Sequence, residues 1–105
     1  MGDTPPIDIQ PGEWAAVMAI LKRHVPDDEV FPFGSRARRQ TKPFSDLDLV
    51  ICGRQAIPLS TIASLEHDFV ESDLPFRVDV VDWHRIGEGF RRAIAADQVP
   101  VQRQP

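Results

Sequence analysis

Residues 46–52 read Asp-Leu-Asp-Leu-Val-Ile-Cys and form the strongest strand signal in the chain. Side chains alternate between the two faces of a strand, so Leu47, Leu49 and Ile51 point one way and both aspartates point the other. The apolar side must be covered by helices, whereas the side that carries the carboxylates must remain open. This run therefore predicts an α/β protein with two aspartates on one open face of its sheet.

Three helices are predicted from apolar residues at helical spacing. Pro11 suits the first turn of one helix and Pro58 the first turn of another, and Asp82 is placed to cap a last helix. The residues expected on the buried faces are Trp14, Val17, Met18, Leu21 and Val25, then Leu59, Ile62, Leu65, Phe69 and Val70, then Ile86, Phe90, Ala93 and Ile94.

Two further runs, 30–33 and 76–81, are predicted strands, and residues 35–40 are predicted to form a short helix. Pro32 restricts the first of these strands to an edge position or a bulge, because proline cannot donate to a sheet. The resulting order of elements predicts an α/β fold of the α+β kind. It has a small mixed β-sheet with helices packed mainly on one face.

The length of 105 residues suits one domain with one modest core. We expect residues 1–10 to form an extended N-terminal lead-in, residues 11–97 to form the domain, and residues 98–105 to form a loosely held tail, since this last segment has no helical period.

The composition is that of an ordinary globular protein, with 42% hydrophobic and 27% charged residues. No apolar run approaches the roughly 20 residues of a membrane span, and no signal-peptide pattern is present, so we expect a cytoplasmic protein with no membrane partner. A net charge of −4 argues against direct nucleic-acid binding. The basic residues nevertheless cluster locally, at Arg36, Arg38, Arg39 and Lys42.

A metal site is predicted where the two strands at 46–52 and 76–81 meet. Asp46 and Asp48 lie about 6.6 Å apart along one strand face. Asp79 lies on the matching face of the later strand and joins them if the two strands are neighbours. Mg²⁺ binds through one or two carboxylates together with substrate phosphate oxygens, so these three aspartates are the candidate metal ligands and catalytic residues.

A phosphate-binding turn is predicted at Gly34 and Ser35. Glycine allows close backbone approach to a phosphate, and free amides at a helix start favour negative charge. Arg36 and Arg38 are the candidate cations beside the nucleotide, although they could instead belong to a solvated face. With a nucleoside triphosphate on this turn and Mg²⁺ on the aspartates, Asp79 can accept the proton of an attacking hydroxyl or lower its pKa through the metal, and the predicted reaction is nucleotidyl transfer.

The pattern Gly34-Ser35, ten residues, Asp46-x-Asp48, followed by Asp79 on a later strand, resembles the nucleotidyltransferase fold of the DNA polymerase β superfamily. The motifs lie within residues 30–82, and the small size resembles the minimal nucleotidyltransferase branch. That branch typically supplies the antitoxins of toxin–antitoxin pairs whose toxins are HEPN-domain ribonucleases. The resemblance implies Mg²⁺-dependent transfer of AMP from ATP to a tyrosine of a HEPN toxin, and a hetero-oligomer with that toxin.

Two other functions compete with this one. A non-catalytic antitoxin would keep the fold and neutralise its toxin by covering it. A nucleotidyltransferase for a small hydroxylated molecule would use the same site on a different acceptor. Since the chain contains no tyrosine, it cannot modify a tyrosine of its own.

Four residues near these motifs also have structural interpretations. Asp79 could simply pair with Arg77, Arg38 or another cation. Asp82 is expected to be a helix cap rather than a ligand, because it lies outside the clean strand. Trp83 is expected in the core, with the border of the nucleotide as the alternative. Cys52 is expected to behave as a small buried hydrophobe rather than a catalytic thiol.

Overall fold

Three strands, three α-helices and one short 3-10 helix make up the residues that the computed structural model describes, which are 9–34 and 46–96. The elements are α1 Pro11–His24, β1 Glu29–Phe33, β2 Leu47–Cys52, α2 Leu59–Glu71, β3 Val78–Asp82, the 3-10 helix Trp83–Arg85 and α3 Glu88–Ala95. The predicted short helix at 35–40, the lead-in up to residue 8 and the tail at 98–105 lie outside the described residues.

The sheet has the order β1-β2-β3, with β1 antiparallel to β2 and β3 parallel to β2. The predicted mixed sheet is therefore confirmed. Pro32 lies in β1, which is an edge strand of the sheet that the described residues form, as predicted for a strand that contains proline. The parallel pairing is possible because α2 crosses over between β2 and β3.

One face of the sheet is covered by α1 and α2, and the main core lies there. Val17 and Leu21 of α1 and Leu65 of α2 have no exposed surface, and they belong to the same apolar cluster as Leu47 and Leu49 of β2. Trp14 and Met18 pack against the edge of this cluster as partly buried side chains. The predicted buried stripe of α1 is thus confirmed.

Two residues of α2 that were expected in the core are exposed, so that part of the prediction is wrong. Leu59 is 68% exposed and Val70 is 78% exposed. At about 100° per residue, both positions fall roughly 90° away from the centre of the stripe that Ile62, Leu65 and Phe69 define. The narrow sheet does not reach the flank of the helix on which they lie.

The second face of the sheet is partly covered by α3. Val50 lies on this face, because it alternates with the core residues of β2, and it is fully buried. Ile94 of α3 is also buried, and neither residue belongs to the main core cluster. The Phe90 ring of α3 meets the Phe33 ring edge-on, with the centroids 5.5 Å apart. This contact places α3 beside the end of β1.

The last helix begins later than the sequence suggests. Asp82 does cap a helix, but it is the 3-10 helix, and α3 starts only at Glu88 after Gly87. Ile94 is buried as expected. Ala93 is exposed, Phe90 is 43% exposed and Ile86 precedes the helix, so those three assignments are wrong. Within the described ranges, no helix is both long enough and apolar enough to cross a membrane.

Candidate functional site

The three predicted carboxylates come together at one end of the sheet. Asp48 is the second residue of β2 and Asp79 the second of β3, and the parallel register places them directly opposite each other. Asp46 lies just before β2, two positions from Asp48. The side chains of Asp46 and Asp79 are 44% and 41% exposed, so the cluster is open to solvent and to a substrate.

Asp48 is the most perturbed member of this cluster. Burial raises its pKa from 3.8 to about 6, with further contributions from the charges of Asp79 and Asp46 and from a hydrogen bond between the Asp48 and Asp79 carboxyls. The charge of Arg77 acts in the opposite direction. Negative charge is therefore crowded at this point, which is the condition under which a cation binds favourably.

Arg77 joins the two sides of the cluster. Its Nη2 atom donates a hydrogen bond to Asp79 Oδ2 over 3.1 Å and lies 3.2 Å from Asp46 Oδ2. The sequence indicates the first of these contacts, because residues 77 and 79 share a strand face. It does not indicate the second, which depends on how β3 is aligned with β2.

Gly34 brings the predicted phosphate turn against Asp48. Its φ of 80° lies in the left-handed region that favours glycine. A Cβ atom added at this position would lie 2.8 Å from Asp48 Oδ2, which is too close for a side chain. The turn therefore lies directly beside the carboxylates. The strand register agrees, since Phe33, the residue before Gly34, is the partner of Asp48. Ser35, Arg36 and Arg38 lie outside the described residues.

The donor set fits Mg²⁺ bound together with a substrate. Across residues 9–34 and 46–96, no group of three or more His, Cys, Asp or Glu side chains is arranged so that it could hold a metal ion, so the three aspartates do not form a complete site on their own. The cluster offers carboxylate oxygens alone, and Asp48 carries negative charge that burial and its neighbours disfavour. Mg²⁺ prefers such an incomplete carboxylate set, which leaves positions for phosphate oxygens and water.

Asp82 has a structural environment at the opposite end of β3. It is 5% exposed, and its carboxylate accepts hydrogen bonds from the backbone N–H of Ile57 (2.7 Å) and of His84 (2.9 Å). Arg85 Nη1 also donates to it over 2.7 Å. These contacts bind the start of α2 to the end of the sheet, and the predicted role of Asp82 as a cap is confirmed.

Trp83 and Cys52 also lie towards that opposite end. Trp83 is half-buried, with the guanidinium carbon of Arg91 5.2 Å from its ring centroid, and it follows Asp79 by four residues, or about 13 Å of strand. It belongs neither to the fully buried core nor to the carboxylate cluster. Burial, together with Glu29 and Asp82, raises the pKa of the Cys52 thiol to about 11, which disfavours the reactive thiolate.

Replacing Asp48 by asparagine should stabilise the metal-free protein at pH 7.5. The folded state binds a proton on Asp48 more tightly than the unfolded chain does, so the stability of the wild type falls as the pH rises from about 4 through about 6. The shift of about two units corresponds to at most about 3 kcal/mol, and solvent screening of this half-buried side chain reduces that to about 1 kcal/mol.

The measurement is urea unfolding of wild type and Asp48→Asn in the presence of a chelator. The variant should be the more stable protein at pH 7.5, and the difference should disappear near pH 4. If the variant were less stable than the wild type at pH 7.5, ionisation of Asp48 would not be unfavourable in the folded protein.

The mixed sheet, the facing carboxylates and the adjoining glycine turn define a class of enzymes that transfer nucleotidyl groups from a nucleoside triphosphate. The comparisons with known proteins agree. The family model described as "Polymerase beta, Nucleotidyltransferase" matches residues 16–104, and the chain belongs to this family. The chain is also 41% identical over 98 residues to the Haemophilus influenzae protein named "Probable protein adenylyltransferase MntA", an alignment that covers 93% of this chain and 86% of that protein.

Solved structures show the same fold. A crystal structure of a toxin–antitoxin with AMP-PNP aligns with a TM-score of 0.72 and 16% identity, covering 87% of this chain and 73% of the other. A structure of a tri-AMPylated Shewanella oneidensis HEPN toxin in complex with MNT antitoxin aligns with a TM-score of 0.69 and 15% identity, covering 91% and 74%. The predicted fold, the nucleotidyltransferase activity and the resemblance to minimal nucleotidyltransferases are confirmed by these matches.

Proposed function

We propose that this nucleotidyltransferase is an antitoxin that transfers AMP from ATP to a tyrosine hydroxyl of a cognate HEPN ribonuclease toxin and thereby neutralises it. The observation that carries the proposal is the alignment of Asp48 with Asp79 beside the Gly34 turn, in a chain 41% identical to a protein named as an adenylyltransferase. The AMPylated HEPN toxin in the Shewanella oneidensis complex supports the same acceptor class.

Asp46, Asp48 and Asp79 would hold Mg²⁺, and Gly34, Ser35, Arg36 and Arg38 would hold the triphosphate. When bound, Mg²⁺ neutralises charge at the phosphates and lowers the pKa of an attacking hydroxyl. Because Gly34 has no side chain, the backbone of the turn can lie close to Asp48. Asp46 and Asp79, each about two-fifths exposed, remain accessible to the incoming substrates.

The transfer is an in-line displacement. The tyrosine oxygen forms a bond to the α-phosphorus of ATP, the bond from that phosphorus to the bridging oxygen of the β-phosphate breaks, and pyrophosphate leaves. Asp79 accepts the proton of the hydroxyl. Asp79 lies opposite Asp48 and its side chain is 41% exposed, which supports this role because a bulky protein acceptor could reach it.

The acceptor is supplied by another protein. The chain contains no tyrosine, so a tyrosine acceptor must come from a partner, and we propose that the two proteins form a hetero-oligomer. A net charge of −4 favours a protein partner over direct binding of nucleic acid. We propose that the reaction takes place in the cytoplasm, where ATP and Mg²⁺ are available.

Neutralisation of the toxin should be catalytic. One molecule of this protein per about 20 molecules of toxin, with ATP and Mg²⁺, should abolish ribonuclease activity, because each enzyme molecule modifies many acceptors in turn. The loss of activity should persist after the antitoxin is removed on an affinity resin. Omission of ATP provides the matched control and should leave the toxin active.

The competing functions give different results in the same assay. Neutralisation that needs a full equivalent of antitoxin, proceeds without ATP and is reversed when the antitoxin is removed would show that the protein acts by covering its toxin. ATP consumption without any change in the toxin would indicate a small-molecule acceptor.

A further inference from the structure

Four exposed residues share one flank of α2, and we call them the α2 seam: Leu59, Ala63, Glu66 and Val70. They follow one another at i, i+4, i+7 and i+11, which is the spacing at which two helices pack side by side. Leu59 is 68% exposed and Val70 is 78% exposed, so large apolar side chains stand at both ends of the seam. The seam is about 16 Å long, or three turns of helix.

The seam lies on the side of α2 that faces away from α1. The opposite flank contacts α1, because Asp68 Oδ2 lies 3.1 Å from Arg23 Nη1 and 2.6 Å from His24 Nε2. At about 100° per residue, Asp68 is roughly 160° around the helix from the seam. In the described part of the chain, the helix layer on this face of the sheet is therefore α1 beside α2, and the seam marks the place for a third helix.

The seam runs towards the end of the molecule that carries the carboxylates. The start of α2 is tied to the far end of the sheet, since Ile57 N–H donates to Asp82. The end of α2 leads into β3, whose second residue is Asp79. The Val70 end of the seam therefore points to the catalytic end of the sheet, while α2 itself covers the opposite face. A protein bound along the seam would lie near the carboxylate cluster without covering it.

The charge of the seam selects its occupant. Glu66 is its only charged residue, and a partner that covers Glu66 must supply a cation, because a buried carboxylate without a partner is costly. A second copy of this chain cannot do so. Antiparallel seams would set Glu66 against Ala63, parallel seams would set Glu66 against Glu66, and both bring two like charges together. A ribonuclease, in contrast, needs a basic surface to hold RNA phosphates.

We propose that the α2 seam binds a helix of the cognate HEPN toxin, one that carries apolar residues at the same spacing and a lysine or arginine opposite Glu66. This inference rests on the proposed function, which supplies the toxin as the partner. The seam holds the toxin while the carboxylate cluster modifies it. It therefore contributes to the affinity for the toxin and not to the transfer step.

The test combines AMP transfer at varied toxin concentration with calorimetric titration of the toxin in the absence of ATP. Glu66→Lys should weaken toxin binding and raise the KM for the toxin by about tenfold or more, with kcat unchanged. Leu59→Ser with Val70→Ser should have the same effect, and it should fold normally because both side chains are already exposed. Glu71→Lys is the matched control, since it makes the same change of charge on α2 roughly 110° from the seam, and it should bind like the wild type.

The possible failures are distinguishable. Wild-type affinity and KM in both seam variants, with the toxin modified normally, would overturn the role of the seam and leave the proposed function standing. The titration needs no ATP, so it tests the seam even if no AMP is transferred, a result that would overturn the proposed function. A wild-type dimer in sedimentation that Leu59→Ser with Val70→Ser separates would assign the seam to a second copy and overturn the proposal. A wild type that does not bind the toxin would overturn both.

Discussion

Replacing both Asp46 and Asp48 by asparagine should reduce the rate of AMP transfer by at least about 10³-fold while leaving the fold intact. Asparagine has nearly the same shape as aspartate but offers one neutral oxygen, so the site would lose the two negative charges that are proposed to hold Mg²⁺ against the α-phosphate. Asp48 lies at the edge of the buried core rather than within it, and its neutral form is already favoured by burial. The measurement is transfer of label from α-labelled ATP to the toxin.

The matched control changes two other aspartates. Asp27 and Asp73 are exposed and lie outside the carboxylate cluster, so Asp27→Asn with Asp73→Asn makes the same change of net charge without touching the site. This control should transfer AMP at the rate of the wild type. Both double variants should unfold in a single transition. Persistent labelling by the Asp46 and Asp48 variant would remove these residues from the mechanism.

Gly34→Ala should lower both stability and activity. A φ of 80° is costly for alanine, and its Cβ would lie 2.8 Å from Asp48 Oδ2, so either the turn or the carboxylate must move. We expect the free energy of unfolding to fall by about 1–3 kcal/mol. Because the turn or the carboxylate must move, groups beside the substrate would be misplaced, and we expect the rate of AMP transfer to fall by about 10²-fold.

Gly89→Ala is the control for this substitution. Gly89 lies in α3, and a Cβ added there would meet nothing within 4 Å. Alanine should therefore stabilise the helix by about 0.5–1 kcal/mol and leave AMP transfer unchanged. Urea unfolding and the labelling assay provide both quantities. Gly34→Ala with full activity and stability would show that close approach of the turn to Asp48 is not needed.

The carboxylate cluster could be predicted from the sequence because strand alternation is a local rule. Asp46 and Asp48 share a face whatever the rest of the chain does. On its own strand, Asp79 likewise points away from the apolar face. The pairing of β2 with β3 could not be derived from either strand alone. It depends on the crossover through α2, which makes the two strands parallel neighbours and sets Asp48 opposite Asp79.

Other features depend on tertiary arrangement that periodicity does not contain. Leu59 and Val70 fit a helical apolar stripe, but the width of the sheet decides how much of that stripe is covered, and both remain exposed. Asp82 has the chemistry of a cap, but its hydrogen bond from the backbone N–H of Ile57 joins residues that are far apart in the chain, and local patterns do not contain it. The contact of Arg77 with Asp46 likewise requires the register of two strands.

The most direct test of the proposed function is mass spectrometry of the toxin after treatment with a substoichiometric amount of this protein, ATP and Mg²⁺. We expect the toxin to gain the mass of one or more AMP groups, peptide mapping to locate them on tyrosine, and the Asp46 and Asp48 double variant to produce no such gain. A toxin that is neutralised while its mass remains unchanged would contradict the proposed function.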